Sequence, residues 1–138
     1  MLAGQAFANS PVAAVHALAY PLGGIYHLSH GLTNALILPH VMRFNQQACA
    51  EQYAILAPLV FPQLAKITDE ITRSSAFIDK LSELNTLLVK KVRLRDYGIE
   101  QAALPLLASE AMKQTRLLVN NPREVNEADA LMIYQAAW

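Results

Sequence analysis

All four histidines of this 138-residue chain, His16, His27, His30 and His40, fall within its first 42 residues, a segment without a single Lys, Arg, Asp or Glu. Imidazole does two kinds of chemistry: it accepts and donates protons near neutral pH, and its neutral ring binds zinc, iron, copper and nickel. A lone histidine on an apolar helix is ordinarily a hydrogen-bonded core residue. Four together are a different case. Each buried ring N–H needs an acceptor, and an uncharged segment offers only backbone, amide and hydroxyl groups. On the residues alone, a metal shared by several rings and a set of hydrogen-bonded core rings stand as equal alternatives. Competing catalytic signatures are absent: there is no G-x-S-x-G elbow, no phosphate-binding P-loop, no G-x-G-x-x-G after a strand and no H-E-x-x-H.

The elements that must position these rings read as helices. Asn9-Ser10-Pro11 is a helix-start signal, and Val12, Val15 and Ala19 then recur at helical spacing, which predicts a helix over 11–20. Pro21-Leu22-Gly23-Gly24 is expected to stop it and reverse the chain. Ser29 is placed to cap a second helix, with His30 in its first turn, running to about Phe44 past a weak point at Pro39. His16 near the end of one helix and His30 at the start of the next would meet across that reversal. Further along, the pattern predicts a third helix over 46–57, a break at Pro58 and Pro62, and a fourth over 69–89 opened by Thr68-Asp69-Glu70, with Ile71, Ile78, Leu81 and Leu88 as its apolar stripe. Lys90, Lys91, Arg93 and Arg95 read as bases at a helix end followed by a solvated loop. Pro105 opens a helix to about Leu118. Asn126 caps a last one striped by Leu131, Tyr134 and Trp138.

No segment alternates apolar and polar residues for long, so the expected fold class is all-α, a multi-helix bundle forming one domain. Hydrophobic residues make up 54% of the chain and charged residues 16%, below the roughly 25% of an average soluble domain. Eleven basic residues balance eleven acidic ones, which leaves no basic excess for nucleic acid or an anionic membrane. A spanning helix needs about 20 consecutive apolar residues, and Pro11, Pro21, Pro39 and the polar Asn9, Ser10, Ser29 and Asn34 interrupt every candidate window. The single cysteine, Cys49, can form neither an internal disulfide nor a thiolate zinc site. The cytoplasm is the expected location.

Several runs resemble the iron-containing alcohol dehydrogenase family: Ala3-Gly4-Gln5-Ala6-Phe7-Ala8-Asn9-Ser10, then Val15-His16-Ala17-Leu18-Ala19, Pro21-Leu22-Gly23-Gly24, Tyr26-His27-Leu28-Ser29-His30-Gly31 and Asn34-Ala35-Leu36-Ile37-Leu38-Pro39. The likeness continues through His40-Val41-Met42-Arg43-Phe44-Asn45 and closes on Asn121-Pro122-Arg123-Glu124, so it covers essentially the whole chain. It corresponds to the family's helical C-terminal domain. The resemblance implies that His16 and His30 are two of three histidines that, with an aspartate, hold Fe2+ or Zn2+ beside a bound NAD(P). His27 then falls beside the substrate pocket. The metal would act as a Lewis acid on an alcohol oxygen and ease hydride transfer to the nicotinamide.

Two departures qualify the likeness. Tyr20 stands where members commonly have a histidine of the proton relay, so it would line the pocket without an assured catalytic role. The family's Asp-x-x-x-His ligand pair and its Gly-rich phosphate loop have no counterpart in these 138 residues. Residues 1–138 are therefore expected to be a truncated metal-binding domain without the N-terminal nucleotide-binding domain, inactive by itself and self-associating through the surface that domain would cover. The small-molecule partner would be a primary alcohol or polyol, with neither nucleic acid nor membrane as partner. A metal-free helical assembly domain that keeps the scaffold is the alternative.

Overall fold

The computed structural model describes residues 1–138 and is built from seven α-helices and no strands, the all-α architecture expected from the sequence. They are α1 (Leu2–Asn9), α2 (Ala14–Tyr26), α3 (His30–Val60), α4 (Glu70–Leu88), α5 (Leu104–Met112), α6 (Thr115–Leu118) and α7 (Glu127–Ala137). Short 3-10 turns lie at Pro62–Lys66, Leu94–Tyr97 and Gln101–Ala103. None of the helices is long and apolar enough to cross a membrane.

The first boundaries differ from the sequence pattern in a way that matters for the histidines. Residues 2–9 form α1, where the pattern indicated no element, and α1 buries none of its residues. The following helix starts at Ala14, and it does not stop at Pro21: it continues through Gly23 and Gly24 to Tyr26. A proline inside a helix forfeits one backbone bond and disfavours the turn before it. Here Leu18, Pro21 and Leu22 all face the core, so burial of that turn outweighs the loss. The reversal comes instead at His27, which caps α2 in the left-handed region at φ 55° and ψ 27°. Ser29 is the N-cap of α3 as expected, although its side chain makes no capping hydrogen bond.

Helix α3 also outruns its expected end at Phe44, merging two predicted helices across a kink at Cys49 (φ −130°, ψ 16°) and passing Pro58. Pro39 does not break it, because a partner is supplied for the carbonyl that Pro39 cannot serve. Ala35, four residues back, accepts from Asn85 Nδ2 of α4 at 2.6 Å. In α4 the cap is Asp69, whose carboxylate accepts from Thr72 N at 2.8 Å. Of the expected apolar stripe, Ile78 is buried and Leu81 packs on the apolar residues around it, joined by the buried Ser74 and Phe77, while Ile71 and Leu88 at the two ends are 58% and 73% exposed. Ser74 can sit inside because its hydroxyl donates to Ile71 O and accepts from Gln46 Nε2 of α3. The helix opened near Pro105 ends at Met112 and restarts as α6, with Gln114 outside helical angles. In α7 the expected cap is a full capping box, Asn126 accepting from Asp129 N at 2.9 Å and Asp129 from Asn126 N at 3.1 Å.

Two apolar cores follow. The larger joins α2, the first half of α3, α5 and α7 through Leu18, Leu22, Ile37, Leu107, Ile133 and Tyr134. The smaller holds Met42, Ala57, Leu64, Phe77 and Ile78 between the rest of α3, the turn after it and α4. The hairpin of α2 and α3, which carries all four histidines, is thus anchored along the larger core.

Candidate metal centre

Ala14, Ala17 and Leu18 give α2 its buried stripe, which leaves His16 half-buried on the flank that faces α3. On α3 the buried stripe is Thr33, Leu36 and Ile37. His30 and Asn34, four residues apart, share the adjacent face and turn toward α2. His16 stands in the first turn of α2, not near the helix end as the sequence pattern indicated, and His30 in the first turn of α3; packing of the two helices on one core brings their side chains together. The ring centroids of His16 and His30 lie 5.1 Å apart at an interplanar angle of 58°. Tyr20, one turn beyond His16, has its ring 6.1 Å from that of His30 and is 44% exposed.

Asn34 links the pair. Its Nδ2 lies 3.1 Å from His30 Nε2 and 3.4 Å from His16 Nε2, so the Nε2 atoms of both rings converge on one amide nitrogen. Its Oδ1 is buried with no hydrogen-bond partner, the only such side-chain atom in the chain. Burial, and after it the charge of a protonated His30, push the pKa of His16 below the ordinary imidazole value. Both effects favour the neutral ring, the form with a lone pair to give to a metal.

The remaining sequence candidates stand apart. His27 is exposed at the end of α2 and neither ring contact nor hydrogen bond joins it to His16 or His30. His40 lies further along α3, half-buried in a cleft of about 360 Å³ shared with Arg43, Phe44, Ser82 and Arg123. Asn34 is the member of the cluster that histidine counting does not reveal. Its position one helical turn after His30, on a helix whose first turn faces α2, is the signal that singles it out.

As a metal centre the cluster is partial. Two imidazoles with converging Nε2 atoms suit ferrous iron or zinc, and an orphaned buried oxygen on the residue between them marks a place where something is unsatisfied. No group of three or more His, Cys, Asp or Glu side chains comes together anywhere in the chain. The residues present therefore fit as two ligands of a larger set.

Comparison with known proteins places the whole chain in one family. The profile of the Fe-containing alcohol dehydrogenase family, C-terminal, matches residues 1–138. Long-chain-alcohol dehydrogenase 1 of Geobacillus thermodenitrificans is 38% identical over 137 residues, covering 99% of this chain and 34% of that protein. Lactaldehyde reductase of Escherichia coli is 34% identical over 137 residues, covering 99% of this chain and 35% of its own length. The solved structure of an alcohol dehydrogenase from Oenococcus oeni superposes with a TM-score of 0.90 at 30% identity, over 100% of this chain and 36% of that one. The chain spans about a third of the length of the curated relatives it matches.

Proposed function

The chain belongs to the Fe-containing alcohol dehydrogenase family, matching its C-terminal part, and from that premise we propose that it is the metal-binding portion of an NAD(P)-linked oxidoreductase interconverting a primary alcohol or polyol and its carbonyl. The relatives' names, which include alcohol dehydrogenases and a lactaldehyde reductase, support that class. The observation that carries the assignment is the convergence of His16 Nε2 and His30 Nε2 on one point between α2 and α3. In this reading those two rings hold part of the coordination sphere of a divalent iron or zinc. When bound, the ion supplies Lewis acidity to the oxygen of the alcohol or aldehyde.

The chain's own residues do the positioning. His30 sits in the first turn of α3 and is carried by a helix fixed at both cores, so its ring is presented on a rigid element. His16 is held on α2 by the buried Ala14, Ala17 and Leu18. Tyr20, exposed with its ring 6.1 Å from that of His30, lines the open side of the pair, where the substrate would approach. No nucleotide fold is present in these seven helices, and two imidazoles are half of the family's ligand set. The 138 residues alone are therefore inactive as a dehydrogenase, and NAD(P) is met by other protein of the complete enzyme.

Metal analysis of anaerobically prepared protein tests this reading. Iron or zinc bound by the wild type and lost in both His16→Ala and His30→Ala supports it. Equal emptiness of wild type and variants favours a metal-free helical assembly domain. Reduction of nicotinamide with short alcohols by the purified 138-residue chain would overturn the statement that it is inactive alone.

A further inference from the structure

Asn34 touches both imidazoles and also carries the one buried side-chain polar atom without a partner. The structure places Nδ2 between the rings and Oδ1 on the buried side. With Nδ2 between the rings, the amide donates to Nε2 of His30 and of His16, so both Nε2 atoms are unprotonated acceptors. Turned over, Oδ1 would require two Nε2–H donors, and the buried side would hold an NH2 group with no acceptor. An orphaned donor is the rarer state in folded proteins, whereas an under-satisfied carbonyl oxygen is tolerated more often.

An imidazole whose Nε2 accepts carries its proton on Nδ1, and solvated imidazole prefers the opposite tautomer. Asn34 therefore biases both rings at once, with the two lone pairs facing the place its own nitrogen occupies. The hold is weak, since 3.4 Å is long for a hydrogen bond, and it is kept at the expense of an unpartnered Oδ1. On the metal reading above, we propose that Asn34 is the positioning residue of the centre: it presets His16 and His30 as Nδ1–H tautomers with converging Nε2 atoms, and its amide turns aside when an ion takes that place. Turning gives up two contacts of modest geometry and frees Oδ1 to find a donor. The substrate class is unchanged by this role. What it sets is how readily the two rings accept a metal.

Nitrogen-15 NMR of histidine-labelled, metal-free chain, recorded well above the ordinary imidazole pKa, reads the tautomers directly. Nδ1–H forms are expected for both His16 and His30 in the wild type. In Asn34→Ala both should revert toward Nε2–H, with zinc affinity lowered about 10- to 100-fold, the usual range for residues that orient metal ligands. Asn34→Asp keeps the shape but offers no donor, and should show the same reversion with an unchanged helical spectrum. Nε2–H tautomers in the wild type, or tautomers and affinity unaltered in Asn34→Ala, would overturn the role of Asn34 while leaving the metal reading in place. A wild type that binds no zinc overturns the metal reading itself, whatever its tautomers.

Discussion

At His40 burial comes first and the Arg43 guanidinium second, and both lower the imidazole pKa; at His16 burial and then His30 do the same. Across the cleft His40 faces Arg43 and Arg123, with no carboxylate on its walls; Asp79, which pairs with Arg43 at 2.6 Å, stands outside them. The sign of the pH effect follows from linkage. A histidine whose folded pKa is depressed is protonated more readily in the unfolded chain, so its share of stability is intact above 6.5 and is lost as pH falls through that value toward the folded pKa. Thermal melts of the metal-free chain should therefore show Tm falling between neutral pH and pH about 5, the range in which ordinary imidazole titrates. His40→Gln should flatten that slope. A Tm that rises on acidification over the same range would contradict these assignments. At this scale the sequence was only partly legible. Clustering of four histidines in an uncharged segment pointed to the region, and the spacing of 16 and 30 to the pair, but the role of Asn34 depends on a face-to-face meeting of two helices that no local pattern encodes.

The elements show where local signals were outweighed by packing. The capping signal was read well at Asn126 and one residue early at Thr68, where Asp69 is the cap, because a cap is satisfied by atoms three residues away. Proline was read badly at 21 and 58, where a stop was expected and the helix continues, and better at 39, which the helix passes as expected; its cost depends on burial and on distant partners such as Asn85. One contact couples the end of the chain to the histidine-bearing hairpin. Tyr134 of α7, fully buried, donates its hydroxyl to Leu18 O at 2.6 Å, in the turn of α2 just before Pro21. Burial drives the phenol pKa far above its ordinary value, so the hydroxyl stays a donor at any working pH. Tyr134→Phe removes that donor with little change of shape, and should lower stability by about 1 kcal/mol in denaturant unfolding. A stability equal to or above wild type would mean that the bond does not help to hold α7 on α2. The burial of Ser74 in α4 was missed for the same reason as the prolines were misread: it is polar in sequence but paired twice inside, so hydrophobicity alone passes over a buried member of the face that Ile78 and Leu81 mark.

For the whole molecule, the all-α bundle was legible from the lack of strand alternation and from helical spacing, and family membership from runs spread across its full length. What composition could only suggest is the distribution of uncovered apolar surface. Met1 and, on α1, Leu2 and Phe7 are 99%, 78% and 59% exposed, and a groove of about 600 Å³ lined by Val12, Leu38, Met42 and Tyr53 opens beside His16. Apolar surface of that extent is expected to drive association. Sedimentation velocity of the 138-residue chain should show species that grow with concentration, and a strict monomer that binds no dye for apolar surface would speak against it. The claim on which function rests is that two rings from two helices serve one ion. Titrating nitrogen-15-labelled chain with Zn2+ tests it most directly: the His16 and His30 Nε2 resonances should move together and saturate at one ion per chain, with His27 and His40 unmoved. Responses of His16 and His30 at different zinc concentrations, or a response of His27 or His40 alone, would contradict the shared centre.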